Sequence, residues 1–145
     1  MTVTTDVKLA VAALASGRLC AIPTETVYGL AASAHDATAV ARVFQAKSRP
    51  LDHPLIVHVA NLDQVSNWIT NLPEWAQTLA AQAWPGPLTL VGNRTNLASD
   101  AITGGQETVA VRIPSHPVAQ QVLQELAEQG ILGLVAPSAN RFGHV

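Results

Sequence analysis

Three cations crowd one short stretch of this chain. Arg42, Lys47 and Arg49 stand within eight residues with no acid among them, although the whole sequence holds only eight Lys and Arg. Lys47 as a point charge and Arg49 as a bidentate fork would suit an anion such as a phosphate or a carboxylate. A solvated helix end, where cations complement the dipole, would read the same way. A second cation of interest is Arg112. In Thr108-Val109-Ala110-Val111-Arg112-Ile113 the apolar residues Val109, Val111 and Ile113 share one strand face, and Thr108, Ala110 and Arg112 the other. An arginine beside a small alanine leaves room for a carboxylate or phosphate ligand. An edge strand with one wet face is the alternative.

Histidines and hydroxyls add to these cations. Along Leu55–Ala60, Leu55, Val57 and Val59 face one way, and Ile56 and His58 the other. His53 and His58 lie five residues apart, so they share no face of a continuous strand and make a poor metal pair. His58 reads either as a ligand-binding group or as a satisfied structural histidine. Pro23-Thr24-Glu25-Thr26-Val27-Tyr28-Gly29-Leu30 follows a buried strand directly, and its two hydroxyls, acid and tyrosine form a post-strand loop of the kind that carries function. A turn whose threonines satisfy the backbone is the alternative. Pro137-Ser138-Ala139-Asn140 repeats that layout. Gly-x-Gly-x-x-Gly, the P-loop, Gly-x-Ser-x-Gly and His-Glu-x-x-His are all absent. A nucleotide would have to be bound by a less common scheme.

Helical and strand-like stretches alternate along the chain, which predicts an α/β or α+β sheet protein. Residues 6–16 read as a helix with Thr5 or Asp6 as N-cap and Gly17 past its end; 37–47, 73–84 and 117–129 read as the others. Strands are predicted at 19–22, 55–60, 88–91, 108–113 and 132–136. Trp68, Trp75 and Trp84 fall at helix-compatible positions and are expected in the core.

A length of 145 residues predicts one domain with a real core. The apolar fraction of 48% excludes disorder, and a net charge of −2 argues against a nucleic-acid-coating protein. The single cysteine, Cys20, excludes an intrachain disulfide and a Cys-based zinc site. No apolar run nears the about 18 residues of a membrane span, and residues 1–5 lack the basic start of a secretory signal. A cytoplasmic protein without membrane contact is the expectation.

Taken together, Pro23–Leu30, Lys47-Ser48-Arg49-Pro50, His53-Pro54-Leu55, Trp84-Pro85-Gly86-Pro87-Leu88-Thr89, Val111-Arg112-Ile113-Pro114 and Pro137-Ser138-Ala139-Asn140 resemble, in order, the motifs of the YrdC/Sua5 family, the threonylcarbamoyl-AMP synthases. The resemblance covers roughly residues 8–145. It implies a YrdC-like α/β fold, a twisted open mixed sheet with surrounding helices and a deep positive cavity. It implies conversion of L-threonine, bicarbonate or CO₂, and ATP into threonylcarbamoyl-AMP and pyrophosphate, with Mg²⁺ accompanying ATP. The adenylate would serve threonylcarbamoyl-adenosine formation at position 37 of tRNA through a separate transfer complex. Matched to the family, Thr26, His58, Arg112 and Ser138 would bind L-threonine, and Lys47, Arg49, His53, Thr108 and Asn140 would contact ATP. No residue stands out as an obligatory nucleophile or base, so catalysis by positioning is expected. Family members continue past the Ser-x-Asn loop, which implies a single domain over 1–145 lacking its C-terminal part. A double-stranded RNA or tRNA-binding module, a carbamoyl-transfer domain like that of hydrogenase maturation proteins, and an inactive truncated remnant are the competing readings.

Overall fold

A computed structural model describes residues 2–3 and 6–139, with backbone alone for 2–3. The elements run in the order β1 (Thr2–Val3), α1 (Val7–Ala15), β2 (Cys20–Pro23), β3 (Tyr28–Ser33), α2 (Ala37–Lys47), β4 (Ile56–His58), a 3-10 turn (Leu62–Asn67), α3 (Glu74–Ala83), β5 (Thr89–Asn93), α4 (Asp100–Thr103), β6 (Thr108–Arg112), α5 (Pro117–Glu128) and β7 (Leu134–Val135). One open sheet takes the order β1-β2-β3-β7-β4-β6-β5. It is mixed: β1 with β2 and β4 with β6 are parallel, and the other neighbours are antiparallel.

The helices start where short polar caps meet amphipathic runs. Asp6 accepts from Leu9 N at 3.2 Å and Asp36 from Ala39 N at 3.0 Å. His116 caps α5 through Nδ1, and Pro117 takes the first turn, where its missing N–H costs nothing. Asp36→Ala is expected to lower stability by about 1 kcal/mol, read as a shift in urea midpoint at unchanged slope.

Each face of the sheet carries its own apolar cluster. Leu30, Val57, Val111 and Val135 pack with α2, α3 and Trp68 on one face. Ile22, Ala31 and Leu134 pack with α1 and α5 on the other. Alternation along a strand explains this division, since neighbouring Leu134 and Val135 point to opposite clusters.

Several expectations change. Residues 28–30, read as the end of a loop, form with residues 31–33 the strand β3, the antiparallel partner of β2. Its Gly-Leu-Ala-Ala-Ser run has no β-branched residue, and at Gly29 the neighbour presses close: a Cβ there would stand 3.1 Å from Ala136 Cβ. The strand over 108–113 is not an edge, for β6 lies between β4 and β5. Trp68 and Trp84 are buried, but Trp75 is 69% exposed, because the buried stripe of α3 is Ala76 and Ala80. Among the described residues no helix is long and apolar enough to cross a membrane.

Candidate functional site

The register of three strands builds the centre of the site. Arg112 pairs with His58 across β6 and β4, and His58 pairs with Leu134 across β4 and β7. Residues paired in one row share a face, so both polar side chains stand on the face packed by α1 and α5. Both are buried. The Arg112 guanidinium is fixed from two sides. Its Nε donates to Gly86 O at 3.2 Å, in the turn that follows the cis Trp84–Pro85 peptide. Its Nη2 lies 2.9 Å from Glu25 Oε1. Glu25 belongs to the exposed loop between β2 and β3, but its side chain turns inward and is 20% exposed. Its second oxygen, Oε2, accepts from Ser115 N at 2.8 Å and from Ser115 Oγ at 2.9 Å. Arg112 therefore already has a carboxylate partner from this chain.

Charges here are set by burial and by donors. Desolvation pushes the Glu25 carboxyl up, but the Ser115 backbone and hydroxyl, its own backbone N–H and Arg112 outweigh it and hold it at about 2. Burial first, and then the Arg112 charge, lower His58 to about 4, against the opposing pull of the Ile56 and Leu134 carbonyls. His58 is thus neutral at pH 7. Its depressed pKa means that the unfolded chain binds the proton first. Stability is then full above pH 6.5 and falls as the pH drops to about 4, by about 3 kcal/mol for this group. His35, also lowered by burial, adds in the same direction. The Glu25 contribution is lost separately, between its ordinary value of 4.5 and about 2. Urea titrations at pH 7 and pH 4 are expected to show the loss, and His58→Gln should flatten most of it.

A second cluster forms where α2 ends. Lys47 follows Val40, Val43 and Phe44 at helical spacing, so the apolar stripe itself points the lysine inward. It is buried, not a solvated helix end, and its Nζ donates to Ser138 O at 2.6 Å. Burial first, then the charge of Arg49, lower its pKa. Ser48 turns the chain in the left-handed conformation, φ 54°, and Arg49 then donates from Nη2 to Pro54 O at 2.9 Å. Ser138 bridges to Gly29, and Ala139 N donates to Tyr28 O at 2.9 Å. Both clusters therefore touch the β2–β3 hairpin, one through Glu25 and the other through Tyr28 and Gly29. Thr26 sits in the loop of that hairpin, exposed, with its hydroxyl 3.1 Å from that of Thr24.

The remaining candidates are more dispersed. His53 is half-buried in the turn before Pro54, its N–H donating to Pro50 O at 3.1 Å. Thr108 stands at the far end of β6 from Arg112, roughly 13 Å along the strand, and lines a cavity of about 270 Å³ with Ile69, Trp75 and Val91. Asn140 lies outside the described residues. Sequence reading gave no role to Glu25, Ser115 or Gly86. Glu25 is the one acid in the motif Pro23–Leu30, which was a usable signal; the pairing with Ser115 and Arg112 was not visible in spacing. No group of three or more His, Cys, Asp or Glu side chains among the described residues is placed to hold a metal ion.

Comparison with known proteins gives a consistent result. The Sua5/YciO/YrdC family model, described as "Telomere recombination", matches residues 12–145. Threonylcarbamoyl-AMP synthase of Pyrococcus abyssi is 47% identical over 137 residues, covering 94% of this chain and 39% of the relative. That of Bacillus subtilis is 43% identical over 143 residues, covering 97% of this chain and 40% of the relative. The crystal structure of P. abyssi Sua5 complexed with L-threonine is similar at a TM-score of 0.86 and 48% identity, covering 92% of this chain and 38% of that one. The chain spans about two fifths of the length of these relatives.

Proposed function

Since the chain belongs to the Sua5/YciO/YrdC family, we propose that it forms threonylcarbamoyl-AMP and pyrophosphate from L-threonine, bicarbonate or CO₂, and ATP. The observation that carries this reading is the buried row of Arg112 and neutral His58 beside the β2–β3 loop, in a chain 48% identical to a protein crystallised with L-threonine. Arg112 would hold the amino-acid carboxylate, and His58, Thr26 and Ser138 would offer hydrogen bonds to the rest of the molecule. Lys47 and Arg49 would neutralise the triphosphate in a positive cavity, with His53, Thr108 and Asn140 as further ATP contacts. Mg²⁺ would come as part of the ATP substrate, ligated mainly by phosphate oxygens and water.

The chemistry needs no protein nucleophile. The threonine amine and bicarbonate give a carbamate and water. A carbamate oxygen attacks the α-phosphorus, and the bond to the β,γ-pyrophosphate breaks. What the chain supplies is proximity and fixed charge. A transfer complex would pass the threonylcarbamoyl group on to tRNA, and a cytoplasmic setting fits that use.

The test is pyrophosphate release by this chain with L-threonine and bicarbonate each present or omitted. Release that requires both is expected. Release from ATP alone, or none together with no thermal stabilisation by L-threonine, would overturn the proposal.

A further inference from the structure

We propose that Glu25 reads the amino group of the amino-acid substrate, so that the Arg112–Glu25 pair recognises a zwitterion and not merely a carboxylate. This rests on the threonine reading above. Three observations carry it. The pair presents a fixed plus and a fixed minus 2.9 Å apart, the complement of an ammonium and a carboxylate borne on one carbon. Both members are held from behind: Gly86 O takes Arg112 Nε, and Ser115 takes Glu25 Oε2 through its N–H and its hydroxyl. On the Arg112 side, the edge that meets Glu25 is the less satisfied one. Arg112 Nη2 is buried and has no aligned hydrogen-bond acceptor despite its closeness to Glu25.

A bound amino acid would insert between them, its carboxylate on Arg112 and its ammonium on Glu25 Oε1. The exchange replaces one ion pair by two and buries no uncompensated charge. An acid without the amine would separate Glu25 from Arg112 and leave that carboxylate facing an uncharged group. Selectivity therefore arises from the penalty on the wrong ligand as much as from attraction of the right one. Held at about 2, the Glu25 carboxylate is too weak a base to take the ammonium proton, so it positions the amine.

Calorimetric titration of the whole chain at pH 7 with L-threonine, and with the analogue in which a hydroxyl replaces the amine, (2S,3R)-2,3-dihydroxybutanoate, decides the matter. The wild type is expected to prefer L-threonine by roughly tenfold or more. Glu25→Gln is expected to lose about that factor for L-threonine while its affinity for the dihydroxy acid changes by less than about threefold. Equal weakening of both ligands would assign Glu25 to holding Arg112 in place and overturn the proposal. Tighter L-threonine binding would do so too, by showing a competing internal carboxylate. Should Glu25→Gln fail to fold, Glu25→Asp carries the same test, with a smaller loss confined to L-threonine. A wild type that binds no L-threonine sinks the threonine reading itself, and this inference with it.

Discussion

Trp68→Ala is expected to cost about 3–5 kcal/mol, a large share of the about 5–15 kcal/mol that holds a domain together. The side chain is fully buried. Its Nε1 donates to Leu132 O at 3.2 Å, and its ring lies 5.7 Å from that of His35. His35 Nε2 in turn accepts from Leu132 N at 3.0 Å. Gly133 comes so near that an added Cβ would stand 3.0 Å from Trp68 Cζ2 and 2.8 Å from Val57 Cγ1. Trp68 thus seats the residues that lead into β7, and β7 leads to Ser138. The indole removed is both core volume and the support of one side of the site. Trp68→Phe, which keeps a ring and loses the donor, should cost clearly less. Denaturant midpoints measure both. A loss below about 1 kcal/mol for the alanine variant would refute this account of the packing.

Lys47→Met is expected to lower pyrophosphate release by about 10²–10³-fold while the protein stays folded. The two halves of that statement have separate grounds. Methionine fills the apolar path of the lysine stem along α2 beside Val43 and Phe44, and it removes a charge whose burial is unfavourable. The cost to the fold includes the hydrogen bond to Ser138 O. The cost to the reaction is the compact cation nearest the Ser138 loop, next to Arg49. Lys47→Arg should not restore activity, since a planar fork does not fit the space of an ammonium packed on a helix stripe. Thermal melts and the pyrophosphate assay together check the prediction. A variant keeping more than about a tenth of wild-type release would remove Lys47 from the phosphate site.

How much of this was legible beforehand varies with the kind of signal. Helix α2 begins and ends at the predicted residues because Asp36 is an unambiguous cap and the Val40, Val43, Phe44 stripe has a clear period. The same stripe already contained the burial of Lys47, which charge alone concealed. Strand β6 was plain from its strict alternation. Strand β3 was not, since glycine, alanine and serine carry no strand preference of their own; only pairing with β2 makes it one. Trp75 was misplaced because bulk and apolarity do not say which side of a helix a residue occupies when its stripe is built of alanines. Within the site, Arg112 and Lys47 stood out as cations of interest, but their burial was not foreseen. What the sequence could not reveal was that Glu25 meets both Arg112 and Ser115, because that meeting depends on the order in which strands are laid side by side.

That order has a consequence in time. Among the seven described strands, β7 comes last in sequence and lies in the middle of the sheet. A chain growing from its N-terminus produces β2–β3 and later β4, β5 and β6 as two separate patches, each with an open inner edge. Those edges stay unpaired until residues 134–135 emerge and join them. The bond from Lys47 to Ser138 can form only after that joining. A ligand that needs both clusters would therefore find its site solely on chains in which β7 has joined the two patches, and would hold them there by mass action. Joining of the two patches, and with it the contact between Lys47 and Ser138, thus waits on the strand made latest among the seven described.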